Sequence, residues 1–118
     1  MEQYCILVAK NEPIIASDLC ETIAEAGFRV HGPHKDLASA MLCFNKHKPD
    51  LAILDVELND GAAYPLAELL IEEDVPVIFQ SSNDGHDQVK QAFPEAGAVA
   101  QPCPPDRILA KLNEALVA

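Results

Sequence analysis

PDLAILDVELNDG, residues 49–61, holds the pattern from which the rest of the chain can be read. Pro49 and Asp50 interrupt what precedes them, and Leu51, Ala52, Ile53 and Leu54 then run without polar alternation. Such a run suits a parallel strand buried on both faces. It stops at Asp55, and Asn59-Asp60-Gly61 supplies a turn a few residues later. In an open α/β sheet, the carboxyl end of a buried strand is where ligands and reacting groups collect.

The same logic extends upstream. Tyr4 to Ala9, YCILVA, is a second uninterrupted apolar run and predicts the first strand. Glu12 and Pro13 suit the first turn of a helix, Ile15, Leu19, Ile23 and Ala26 recur at helical spacing, and Gly27 stops it. Phe28-Arg29-Val30-His31 reads as a second strand ended by Gly32-Pro33. Asp36 then caps a helix with a buried stripe of Leu37, Ala40, Met41 and Phe44, and with Lys46, His47 and Lys48 at its negative end.

Downstream, Leu66, Leu69 and Leu70 mark a third helix whose outer face is Glu68, Glu72 and Glu73. Val75 to Phe79 is a fourth strand entering at Pro76, where a missing amide hydrogen is tolerated. A polar stretch, Gln80 to Gln88, leads to a weak helix at Val89 to Phe93 and a short strand at Ala98-Val99-Ala100. Ile108, Leu109, Leu112 and Leu116 give a last helix its inner face. Strands alternating with helices predict a doubly wound α/β fold, a five-stranded parallel sheet covered on both sides through right-handed crossovers. Lys10, Asn11, Asp55, Ser81 and Gln101 all fall at the carboxyl ends of its strands.

Composition narrows the function. The 118 residues suit one domain, residues 1–118, with no second module to carry an output. Nineteen acids against eight bases give a formal net charge of −11, which repels a phosphate backbone and points to protein partners instead of nucleic acid. No apolar run is long enough to span a bilayer, and MEQYCILVAK lacks a basic n-region, so no membrane association or export is expected and the cytoplasm is the predicted location. Cys5, Cys20, Cys43 and Cys103 are widely spaced and read as reduced packing residues. His31 and His34 flank a turn without the two further ligands that zinc requires.

The chain as a whole resembles a receiver domain of two-component response regulators, of the short type found in α-proteobacteria. The resemblance rests on PDLAILDVELNDG with GPHKDLASAM, YPLAELL, VPVIFQSS and QPCPPDRILAKL. It implies a flavodoxin-like strand order of 2-1-3-4-5, and partners such as a histidine kinase, a phosphotransfer protein or another signalling protein. A homodimer through the fourth strand and last helix is also compatible with it. Asp55 matches the family's phospho-acceptor and Ser81 its hydroxyl switch. The family holds Mg²⁺ with an acidic pair after the first strand, the acceptor aspartate and a backbone carbonyl two residues beyond it. Here those positions are Lys10-Asn11, Asp55 and Glu57. The conserved-type lysine of the last strand's loop falls on Gln101, or on Pro104 in an alternative alignment, and its aromatic switch residue falls on Ala98 or Gln101.

Phosphoryl transfer to a carboxylate needs positioning and cancellation of charge on three equatorial oxygens. At about 5 Å and an effective dielectric of about 20, one charge pair is worth roughly 3 kcal/mol, and a lysine in place of an acid reverses its sign for a metal ion. With Asn11, Asp55 and Glu57 as the remaining ligands and Lys10 beside them, Mg²⁺ binding is expected to be weak or absent. Two readings follow. The chain is a phosphorylation-independent interaction module, a pseudo-receiver, or it is a working receiver in which Lys10 stands in for the cation. In both it accepts signals and is not an enzyme. A small flavodoxin-like enzyme or cofactor binder is a third class, disfavoured because no glycine-rich cradle follows the first strand and Trp is absent.

Overall fold

Two uninterrupted apolar runs, β1 (Cys5–Ala9) and β3 (Leu51–Leu54), lie side by side at the centre of a parallel sheet. The computed structural model describes residues 4–81, 91–94, 96–100 and 104–117. Between and beyond the central strands come α1 (Pro13–Glu25), β2 (Arg29–His34), α2 (Leu37–Lys46), β4 (Glu57–Leu58), β5 (Gly61–Ala62), α3 (Tyr64–Glu72), β6 (Val77–Ser81), β7 (Gly97–Ala100) and α4 (Pro105–Val117). The five-stranded sheet has the order β2-β1-β3-β6-β7, which is 2-1-3-4-5 once the small antiparallel β4–β5 hairpin is set aside. This is the doubly wound, flavodoxin-like topology the sequence led us to expect.

Alternation along each buried strand divides the core in two. Leu7, Ala9, Ala52, Leu54, Val77 and Phe79 face Ala40 of α2 and Leu66, Ala67 and Leu70 of α3. Ile6, Val8, Leu51, Ile53 and Ile78 face Leu19 and Ile23 of α1 and Ile108 and Leu112 of α4. Each strand residue thus buries apolar area on one side or the other, which is why the runs contain no polar residue. Tyr64, Phe79 and Phe93 add an aromatic group with ring centroids 5.2 to 6.3 Å apart.

Local chemistry sets the helix ends. Pro13 opens α1, and the Glu12 carboxylate accepts from the Ile14 amide at 3.4 Å. Asp36 caps α2 by accepting from the Ser39 amide at 2.7 Å. A second acid, Asp60 in the β4–β5 turn, accepts from the Leu37 and Ala38 amides of the same helix. Periodicity could not reveal that contact, because it joins segments more than twenty residues apart.

Several details differ from the sequence reading. The second strand does not end at Gly32-Pro33 but continues to His34, because one extra residue is absorbed there. Leu7 pairs with His31 and Ala9 with His34, so β2 bulges between them. Gly32 makes the bulge feasible, with φ at +141° and the Val8 carbonyl oxygen only 2.5 Å from where a Cβ would sit. The fourth strand is Val77–Ser81, not Val75–Phe79, since Val75 donates back to Leu70 at the end of α3 and the β7 pairing carries the strand on to Ser81. The turn after Asp55 is a hairpin, β4–β5. The helix expected at Val89 to Phe93 falls mainly outside the described residues; Gln91 and Ala92 are helical and Phe93 follows them, buried in the core.

Gly27 and Gly32 both have positive φ, yet an added Cβ at Gly27 meets nothing within 4 Å. Gly27→Ala is therefore expected to cost about 1 kcal/mol from backbone conformation alone. Gly32→Ala, which adds a clash with backbone, is expected to cost about 3 kcal/mol or more. Urea denaturation of the two variants side by side measures the difference.

Candidate functional site

The parallel register sets Lys10 next to Asp55. Ala9 pairs with Leu54, so the residues that follow leave their strands together at the carboxyl edge, and the Asp55 amide donates to the Ala9 carbonyl at 2.8 Å. On the other side the Lys10 amide donates to the His34 carbonyl at 2.9 Å, prolonging the β1–β2 ladder past the bulge. Both backbones are thereby held, and both side chains are directed into the crevice.

Lys10 is 1% exposed and Asp55 8% exposed. The Lys10 ammonium Nζ lies 3.0 Å from Asp55 Oδ1, and the backbone amide of Asn11 donates to Asp55 Oδ2 at 2.9 Å. Each carboxylate oxygen therefore has a donor from the β1–α1 junction. Asn11 also donates through Nδ2 to the Glu57 carbonyl at 3.0 Å. Lys10, Asn11, Asp55 and Glu57, the altered and metal-site positions read from the sequence, do come together, joined by protein hydrogen bonds.

The energetics of the pair follow from burial. Desolvation holds the Lys10 ammonium below its ordinary pKa of 10.5, and the charge and hydrogen bond of Asp55 pull only partly in the other direction. Removing the ammonium from water thus outweighs what Asp55 returns. A pair of this kind specifies geometry more than it adds stability.

A hard divalent cation does not fit these donors. Mg²⁺ takes oxygen ligands in near-ideal octahedral geometry, whereas here a buried cation already sits against Oδ1 and the Glu57 carbonyl already accepts from Asn11. Among the described residues, no three His, Cys, Asp or Glu side chains converge to hold a metal ion.

The backbone of Ser81 closes β6, two residues beyond Phe79, which is the register partner of Leu54. It therefore stands on the strand next to that of Asp55. Gln101 lies outside the described residues. Sequence reasoning missed the Asn11 to Glu57 tie and the buried polar state of Gln80, which lies inside β6 instead of opening a loop.

The response regulator receiver domain family matches residues 6–113 of the chain. The transcriptional regulatory protein PdtaR of Mycobacterium tuberculosis is 32% identical over 97 residues, covering 80% of this chain and 46% of that protein. The phyllosphere-induced regulator PhyR of Methylorubrum extorquens is 29% identical over 114 residues, covering 94% of this chain and 43% of that protein. The chain thus spans less than half the length of these curated relatives. Among solved structures, SdrG from Sphingomonas melonis Fr1 superposes with a TM-score of 0.83 at 29% identity, covering 100% of both chains.

Lys10→Met is expected to leave the Asp55 carboxylate without its buried partner and to cost about 2 to 3 kcal/mol, less than a fully enclosed pair because Asp55 keeps some solvent access. Adding Asp55→Leu is expected to restore stability to the wild-type level or above. Because the folded Lys10 pKa lies below 10.5, the unfolded chain binds more protons between the two values. Wild-type stability relative to Lys10→Met should accordingly rise with pH through that window and level off above 10.5. Urea melts of the two variants and the wild type from pH 7 upward measure both effects.

Proposed function

The chain belongs to the response regulator receiver domain family, and on that footing we propose that it is a phosphorylation-independent receiver, an interaction module of two-component signalling. The observation that carries this reading is the engagement of both Asp55 oxygens by the chain's own donors, Lys10 Nζ and the Asn11 amide. Phosphoryl transfer to a carboxylate requires incoming charge to be cancelled by groups aimed at the equatorial oxygens of the phosphoryl group. Lys10 spends its charge on the resting carboxylate.

In this reading Asp55 is the acceptor position without routine use, and Ser81 is the switch position beside it. Mg²⁺ binds weakly or not at all through Asn11, Asp55 and Glu57. The lysine pair holds one arrangement of the β1–α1 and β3–β4 junctions without turnover of phosphate. The partners are signalling proteins, a histidine kinase, a phosphotransfer protein or another regulator, and the excess of acids over bases favours a partner with a basic docking surface. No described helix is long and apolar enough to cross a membrane.

Incubation with acetyl phosphate and Mg²⁺ followed by intact-mass measurement tests the proposal. The wild type is expected to stay unlabelled, and stoichiometric phosphate on Asp55 overturns the reading. Lys10→Asp combined with Asn11→Asp is expected to gain Mg²⁺ binding by calorimetry, because it removes the cation and supplies two oxygen donors.

A further inference from the structure

The α2 helix differs from the other described helices in what it shows to solvent. Asp18 and Glu21 face outward on α1, Glu68 and Glu72 on α3, and Asp106 and Glu114 on α4. Along α2 there is no acid, and Lys46 is its one charged residue. Its exposed positions are Ala38, Leu42, Asn45 and Lys46, and Leu42 is 62% exposed. A surface helix ordinarily turns charged or polar side chains that way.

Ala38, Leu42 and Lys46 recur every four residues and form one strip along the helix. Its two ends carry opposite charge. At the Ala38 end, Asp60 accepts from the Leu37 and Ala38 amides and Asp36 accepts from the Ser39 amide, with Lys35 offsetting one of the two acids. At the other end Lys46 and Lys48 are exposed, and Asp50, which accepts from the Cys5 amide, offsets one of them. Neither Lys46 nor Lys48 makes an ion pair among the described residues. Asp60 is exposed too, and a carboxylate oxygen that accepts one amide keeps a lone pair for a second donor.

We propose that this strip is the contact of a symmetric homodimer in which α2 packs antiparallel on α2 of a second copy. Leu42 stands midway between Ala38 and Lys46, so a two-fold axis at Leu42 stacks the two leucines and sets each Lys46 over Ala38 and Asp60 of the other chain. The patch is self-complementary, as a two-fold contact requires. Ala38 is small enough to leave room for the lysine stem, whose methylenes pack there while the ammonium meets the carboxylate. A helix free of acids is also where two chains of net charge −11 approach with least repulsion. One helix pair buries little area and exposed ion pairs add little affinity, so the charges fix register and the dimer is a weak one. Neither Lys10 nor Asp55 takes part, so the contact stands whether or not Asp55 accepts phosphate. It is a different surface from the fourth strand and last helix.

Sedimentation equilibrium, together with dilution of the ¹⁵N-labelled full chain from millimolar to micromolar concentration, tests the proposal. Self-association is expected, with amide shifts that follow the dimer fraction at residues 38–46 and at Asp60. Leu42→Glu is expected to weaken association by about tenfold or more, because it sets two unpaired carboxylates against each other in the contact. Lys46→Glu is expected to weaken it severalfold, while Lys46→Arg leaves it unchanged. All three variants alter exposed side chains, and unchanged amide shifts in β1 and β3 show that the fold is kept. With ¹³C-labelled and unlabelled wild-type chains mixed, isotope-filtered NOEs are expected between Leu42 methyls of the two copies. A chain that stays monomeric at millimolar concentration overturns the assignment and leaves the strip to a partner of another kind. Association unaffected by Leu42→Glu, a dimer without the Leu42 NOE, or shifts centred on β6 and α4 overturn it as well.

Discussion

A single ion pair, Lys10 with Asp55, sits where the two most deeply buried strands end, and the arrangement of the surrounding loops depends on it. Burial holds the ammonium below its ordinary pKa, and the backbones on either side keep the contact in place. Paired neighbours Ala9 and Leu54 set the backbones, and the β1–β2 ladder continues through the Lys10 amide. The result is a crevice whose charge is balanced internally by a buried lysine at the end of β1.

That internal balance reorganises its neighbours. Asn11, the residue after the lysine, bridges through Nδ2 to the Glu57 carbonyl. The carboxylate is gripped from one side by a side chain and from the other by a backbone amide, two donors contributed by consecutive residues. A bound ion can leave, but a lysine whose side chain has no accessible surface cannot readily do so.

Much of this was legible in the residues. The runs at Cys5–Ala9 and Leu51–Leu54 lack polar alternation because both of their faces are covered, and that property alone placed Lys10 and Asp55 at the same edge. Asp36 and Pro13 announced helix starts through local chemistry. What escaped detection was non-local or conformational. The bulge at Gly32 depends on how β2 registers against β1, a relation no periodicity encodes, and Gly-Pro read more simply as a stop. Gln80 looked like the first residue of a loop because it is polar, whereas pairing with Val99 keeps it inside the sheet. The direction of the Asn11 amide toward Glu57 is a contact across forty-six positions, beyond the reach of any local rule.

The acid at the tip of the β4–β5 hairpin gives the molecule a mechanical link. Asp60 grips the first two amides of α2, and the Asn59 amide beside it donates to the Lys35 carbonyl at 3.1 Å. The hairpin begins two residues after Asp55, so the loop leaving the carboxylate is pinned to the start of α2, which packs on the same face of the sheet as α3. Displacing that loop strips α2 of donors' partners or drags its first turn along. The first turn of the second helix and the loop leaving the aspartate are therefore mechanically joined, and neither can shift without breaking these hydrogen bonds or moving the other.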